Sequence, residues 1–287
     1  MPDDLLRALA IFAAGLAAGT INTVVGSGTL ITFPTLLAFG YPPVLANVSN
    51  NVGLVPGVAS GVYGYRSELG GQRRRLIRLG SASVCGGLVG AILLLTLPQS
   101  AFKAIVPVLI GVAVVMVVIQ PRVAKWVAER QRARAALVTP DGASADSTAA
   151  AAGASAAGAS AGAAAPASHE AIGGPVLWVL VFLAGIYGGY FGAAQGVLLI
   201  GMLGIALNDS LQRINAAKNV LAGLVNGLAA VVFILATHID WGVAGLIAAG
   251  SIIGGQVGAR IGRRLPPWGL RVVIVCVGVA ALVKLLT

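Results

Sequence analysis

The sequence predicts an all-α polytopic membrane protein made of two inverted repeats, each a broken helical hairpin followed by three transmembrane helices. Three observations predict it. Of the 287 residues, 57% are hydrophobic and 10% charged, whereas a soluble domain carries about 25% charged residues. Apolar runs long enough to cross a bilayer recur along the chain, and two further stretches are too long for one crossing and are interrupted midway. The halves also repeat one another, Gly28 with Gly196 and Asn47 with Asn215, at a constant separation of 168 positions.

The elements follow in order. The stretch 5–39 would measure about 52 Å as one helix, against a hydrocarbon core of about 30 Å. It opens with Asp3 and Asp4 rather than basic residues and offers no clear cleavage site, so it reads as a retained membrane segment and not a signal peptide. Gly26-Ser27-Gly28 interrupts it, giving a hairpin that returns to the side it entered. Crossing helices are expected at 44–63, 76–97 and 101–119, which closes a first repeat at 1–120. A basic segment and the Ala/Gly/Ser tract Thr139–Glu170 fill 121–172. That composition cannot bury a core, so it reads as a flexible linker. The second repeat, 173–287, has its hairpin at 175–206, broken at Ala193-Ala194-Gln195-Gly196, and crossings at 214–236, 242–260 and 268–286.

At the 168-residue offset Asn51 meets Asn219, and the block GGLVGA (86–91) meets GGQVGA (254–259). Paired asparagines and a six-residue block in one register mark an internal duplication. The 19 Lys and Arg residues then set the topology, because cytoplasmic loops favour cations. Arg66 to Arg78, Arg122 to Arg134, Arg213 and Arg260 to Arg271 fall on one side if both hairpins return. Arg7, Lys103 and Lys284 fall opposite. A hairpin plus three crossings is an odd number, so the second repeat is inverted and the linker is cytoplasmic.

Several function classes drop out. The net charge of +10 is spread between apolar runs rather than gathered on a soluble face, so no nucleic-acid partner is expected. Every acidic residue sits at a helix end, in a loop or in the linker, which argues against a carboxylate proton relay or cation site. His169 and His238 fall in the linker and a loop, and Cys85 and Cys276 lie apart in apolar runs. No metal site, catalytic residue or cofactor is expected, and no GxxxxGK[ST] loop is present for ATP-driven pumping.

What remains is polar and small. Broken segments at matching places in inverted repeats expose helix ends and unpaired amides, and a helix N-terminus suits an oxyanion. The candidate site therefore contains Gly26, Ser27, Gly28, Gln195 and Gly196, with helices starting at Thr29 and Val197 pointing their N-termini at the membrane middle. Close helix packing is the competing reading of these glycines. NVSNN (47–51) and NAAKN (215–219) add Asn47, Asn51, Asn215 and Asn219, each pair one helical turn apart on one face. Lys218, at the repeat position of Asn50, supplies a cation for an anionic ligand. Alternatively the asparagines hold helices together and Lys218 snorkels to lipid phosphate.

GTINTVVGSGTLITFP (19–34), the following GYPPVLANVSNN, GIYGGYFGAAQGVLLI (185–200) and INAAKNVLAGLVN (214–226) resemble the two signature regions of the sulfite exporter TauE/SafE family of bacterial membrane transporters. The resemblance implies a secondary transporter of the bacterial inner membrane, with sulfite, sulfonates or related organic anions as the substrate class. Its partners would be that small anion and the lipid bilayer. A passive anion channel is the alternative, and a membrane-embedded enzyme a weaker one. The sequence fixes neither a coupling ion, nor the direction of transport, nor an oligomeric state.

Overall fold

The computed structural model describes residues 2–138, 174–207, 209–261 and 267–286. Ten α-helices make up these residues: α1 (Pro2–Val24), α2 (Thr29–Ala38), α3 (Pro43–Gly64), α4 (Arg73–Thr96), α5 (Gln99–Val138), α6 (Pro175–Tyr190), α7 (Gln195–Ala206), α8 (Leu211–Ala236), α9 (Trp241–Ile261) and α10 (Pro267–Leu286). A single 3₁₀ turn, Arg66–Leu69, lies between α3 and α4. Five of these helices contain segments long and apolar enough to cross a membrane. The tract Thr139–Glu170 lies outside the described residues, as do Arg263 and Arg264.

Both broken segments are hairpins. Arg7, near the start of α1, donates from Nη2 to the Phe39 carbonyl at the end of α2 and stacks over the Phe39 and Tyr41 rings at 5.3 and 5.2 Å. That contact returns α2 to the end of α1 from which the hairpin began. One expected boundary moves. The crossing placed at 101–119 continues as helix to Val138, through Pro121. Arg122 onward is rich in Ala and Arg, both strong helix formers, and these carry the helix past a proline that would otherwise end it.

The packing partners exchange between halves. α1 packs on α9 while its counterpart α6 packs on α4; α3 packs on α9 while α8 packs on α4; α2 meets α10 while α7 meets α5. Helix directions follow from the close contacts. On α1 and α9, Gly15 faces Ile247, Gly19 faces Ser251 and Gly258 faces Thr20, so the two run parallel. α3 runs parallel to α9 as well, with Gly53 against Ile247 and Gly64 against Ala259. Against its own counterpart α8, however, α3 runs the opposite way: Val58 lies at Gly223, and Tyr65 shares a small buried cluster with Ala216.

Glycine makes these interfaces possible. A Cβ on Gly86 would overlap the Phe182 carbonyl of α6, and one on Gly254 would overlap the Leu16 carbonyl of α1. Backbones this close are what small residues provide between membrane helices, where dispersion rather than water expulsion drives association. The matched blocks GGLVGA and GGQVGA are thus one interface built twice.

Those contacts also correct the repeat register. Gly86 and Gly254 are 168 apart, but their partners Phe182 and Leu16 are 166 apart. The same shift relates Gly26 (φ 91°) to Gly192 (φ 74°) and Thr29 to Gln195, the first residues of α2 and α7. From α3 and α8 onward the offset is 168 again. The two additional residues fall between, and α7 has 12 residues where α2 has 10. The identity of Gly28 with Gly196 is therefore not a structural equivalence.

Candidate hairpin-tip site

The site begins with how α1 and α6 end. At α1 the amides of Val25 and Gly26 both donate to the Ile21 carbonyl, at 2.7 and 3.0 Å. At α6 the amides of Phe191 and Gly192 both donate to the Tyr187 carbonyl, each at 3.0 Å. Gly26 and Gly192 supply the positive φ that folds the chain back, a conformation an L side chain resists. Sharing one acceptor leaves the next carbonyls without helical partners.

Side chains from the opposite repeat take those carbonyls. Asn47 of α3 donates from Nδ2 to Tyr190 O at 3.0 Å. From α8, Asn215 and Asn219 donate to Thr23 O at 3.2 and 3.3 Å, and Lys218 Nζ donates to Asn22 O at 2.9 Å and Thr23 O at 3.2 Å. The polar clusters of α3 and α8 thus cap the broken helices of each other's repeats. Lys218 has 0% of its surface exposed, so its ammonium is held inside the protein and does not snorkel to lipid. Asn22, whose carbonyl it binds, was not singled out from sequence, because a backbone acceptor leaves no mark in residue type.

The two tips touch. Gly196 N–H donates to Gly26 O at 3.1 Å, and a Cβ on either glycine would overlap the Cα of the other. The stem of Lys218 passes beside this junction, its Cδ 3.0 Å from where a Gly196 Cβ would stand. Gly28 instead packs within its own hairpin, against the Ala18 carbonyl and the Asn22 side chain. For Gly28 close packing accounts for the glycine. α2 begins at Thr29 as expected, while α7 begins at Gln195, two residues before Val197.

The tips also lie off the expected level. Thr23 sits at Gly61 and Gly258, in the last turns of α3 and α9 rather than at their centres, and Tyr190 sits at Gly90, past the centre of α4 but short of its last turn. α1 alone has 23 residues, about 35 Å of helix, so its tip reaches well past the middle of its neighbours.

Around the junction several buried polar atoms have no protein partner: the Ser27 hydroxyl, Gln195 Nε2 and Asn215 Oδ1; Asn51 Oδ1, on α3, is likewise buried and unpartnered. Ser27 is 0% exposed and Gln195 2%. Leaving a buried donor unpaired costs about 1–3 kcal/mol. Lys218 adds a third proton, since an ammonium has three and two serve Asn22 and Thr23. By contrast, a cavity of about 250 Å³ between α5 and α7, lined by Met116, Ile119, Gln120, Val197, Leu198 and Met202 among others, is almost wholly apolar and does not suit an anion.

A second polar assembly joins the repeats at the opposite end of α8's first turn. Asp209 accepts from Arg75 Nη1 at 2.8 Å and Arg213 Nε at 2.7 Å, while Gln72 Nε2 donates to Arg213 O at 3.2 Å. Asp209 read from sequence as a loop acid; only the fold brings it to Arg75.

The sequence model of the sulfite exporter TauE/SafE family matches residues 11–285. A probable membrane transporter protein of Haemophilus influenzae is 25% identical over 264 residues, covering 90% of this chain and 85% of the relative. The probable membrane transporter protein YfcA of Escherichia coli K12 is 22% identical over 291 residues, covering 100% and 91%. The probable membrane transporter protein ORF9 of a Sinorhizobium species is 30% identical over 111 residues, a match that spans 38% of this chain and 42% of that one. No solved structure matches the chain. With a match over nearly its whole length and helices able to cross a membrane several times, the chain belongs to the sulfite exporter TauE/SafE family of multi-pass membrane proteins.

Proposed function

We propose that the protein is a secondary transporter that carries a small anion, sulfite, a sulfonate or a related organic anion, across the bacterial inner membrane. Its two repeats are inverted, the linker is cytoplasmic, and the anion binds where the hairpin tips meet. The observation that carries this reading is the set of buried donors at that junction: beside the Gly26–Gly196 contact, Ser27 Oγ and Gln195 Nε2 have no protein partner, and the ammonium of Lys218 keeps one proton beyond the two it gives to Asn22 O and Thr23 O. Family membership supports the substrate class. The opposed directions of α3 and α8 support inversion, because counterpart helices running oppositely are what a two-fold axis in the membrane plane produces.

In this arrangement Ser27 and Gln195 donate to the anion, Lys218 neutralises it, and Asn51 and Asn219 border the site from α3 and α8. Asn47, Asn215 and Asn219 hold the ends of α6 and α1 in the geometry that presents the tips. The hydrogen bond between Gly196 and Gly26 favours a carrier over an open channel, since a direct backbone contact between tips leaves no continuous path there. Alternating access follows if the tips part toward one side at a time.

Flux in proteoliposomes tests the proposal. Sulfite or a sulfonate loaded inside should exchange against external sulfite with saturable kinetics and trans-stimulation. Flux linear in concentration, without trans-stimulation, would mean a channel; none for any sulfur oxyanion, sulfonate or carboxylate would remove the anion reading.

A further inference from the structure

The surroundings of the Lys218 ammonium are those of a bound cation. Its two acceptors, Asn22 O and Thr23 O, are main-chain carbonyls at the C-terminal end of α1, left free because Val25 and Gly26 both turn their amides to Ile21 O. Such an end carries roughly half a negative charge. Asn215 Oδ1 is a further buried oxygen without a partner, on a side chain whose Nδ2 already reaches Thr23 O. Free carbonyls at a half-helix C-terminus are the ligands that hold coupling cations in carriers built from inverted repeats. In the other repeat the end of α6 is met by the neutral amide of Asn47, and Asn50 stands where Lys218 stands in α8. The charge is therefore a feature of one end alone.

From this geometry we infer that Lys218 is a tethered cation: its ammonium fills a monovalent-cation site formed by Asn22 O and Thr23 O, so that the carrier needs no free Na⁺ or K⁺ there. The inference rests on the carrier reading for its meaning in transport. A mobile ion at that place would be taken up and released with the substrate. A lysine side chain stays, supplying its charge to the anion in every cycle while adding nothing to the ion stoichiometry.

The test uses the full-length protein in detergent, with thermal unfolding followed in sodium, potassium, ammonium or choline chloride at equal ionic strength. For the wild type the midpoint should be the same in all four salts, because the site is already occupied. Lys218→Ala opens the space and should unfold several degrees lower in choline, then recover with saturable dependence on one of the small cations. Lys218→Met, which fills the space without charge, should not recover. A saturable rise of the wild-type midpoint with Na⁺ or K⁺ over choline overturns the inference, as does a folded Lys218→Ala protein that behaves alike in all four salts. If Lys218→Ala does not fold, Lys218→Asn, the residue of the counterpart position, takes its place, and the wild-type comparison needs no variant. Added sulfite reports separately on the anion reading: a protein that passes the cation test yet ignores sulfite and sulfonates keeps the tethered cation and loses the proposed substrate.

Discussion

Ser27 and Lys218 distinguish, residue by residue, a binding site from a piece of packing. The Ser27 hydroxyl is fully buried and bonded to nothing. If it served stability, its removal would be harmful; as an unpaired polar group it costs about 1–3 kcal/mol instead. Ser27→Ala should therefore leave the unfolding midpoint unchanged or raised while sulfite flux falls, and a variant with wild-type flux would take Ser27 out of the site. Lys218→Gln removes a charge-assisted hydrogen bond of about 1.5–3 kcal/mol. Its KM for sulfite exchange, at equal expression, should rise about tenfold or more, since 1.4 kcal/mol is about a factor of ten. An unchanged KM would confine the lysine to capping α1. Asn219→Ala should lower flux as well, because Asn219 holds Thr23 O at 3.3 Å and so fixes the α1 end.

For whole helices, the close interfaces α1–α9 and α4–α6 rank the glycines. Gly86→Val and Gly254→Val put a side chain into a facing backbone carbonyl, so both should abolish the monodisperse protein, and to a similar degree because the contacts are equivalent. Gly111, Gly227 and Gly245 face nothing within 4 Å. Alanine there should be neutral or stabilising by up to about 1 kcal/mol, the helix-propensity difference. Unfolding midpoints of the five variants check this, and tolerance of Gly86→Val would mean the helices are not packed as closely as described. Asp209 joins the first turn of α4 to the start of α8 through Arg75 and Arg213. Asp209→Ala leaves the charge of Arg75, 5% exposed at its side chain, with Gln72 Oε1 but without its carboxylate and should destabilise by about 3 kcal/mol.

Across the whole molecule, the proposed inversion of the repeats predicts which loops face which side. The α3–α4 connection, with Arg66 in its 3₁₀ turn, and the α8–α9 turn lie at opposite ends of the bundle, and Gly70 and His238 are exposed in them. In a cysteine-free background, a cysteine at His238 should react with an impermeant maleimide in intact cells, and one at Gly70 only after permeabilisation. The linker position Ala154 should behave like Gly70. Labelling of Ala154 from outside would reverse the proposed topology.

What the sequence by itself determined was the part of the physics that is local. Membrane residence follows from summed transfer free energy, the first hairpin break from glycine at 26–28 and the repeat from residue identities, none of which needs a neighbour in space; the second break is expected at 193–196, and the structure puts its turn glycine just before, at Gly192. The matched glycine blocks were likewise legible, because only one residue type lets backbones meet at Gly86 and Gly254. The tertiary structure decided what depends on which surfaces meet. It moved the hairpin register from 168 to 166, since identities at Gly28 and Gly196 are too weak a signal to place two additional residues. It took Lys218 away from lipid and made it a buried cap on Asn22 and Thr23, which the sequence could not show because those acceptors are main-chain oxygens that every residue carries. It also set Gly26 against Gly196 across 170 residues of chain, a contact no local pattern encodes, for it exists only once two separately folded hairpins are packed tip to tip.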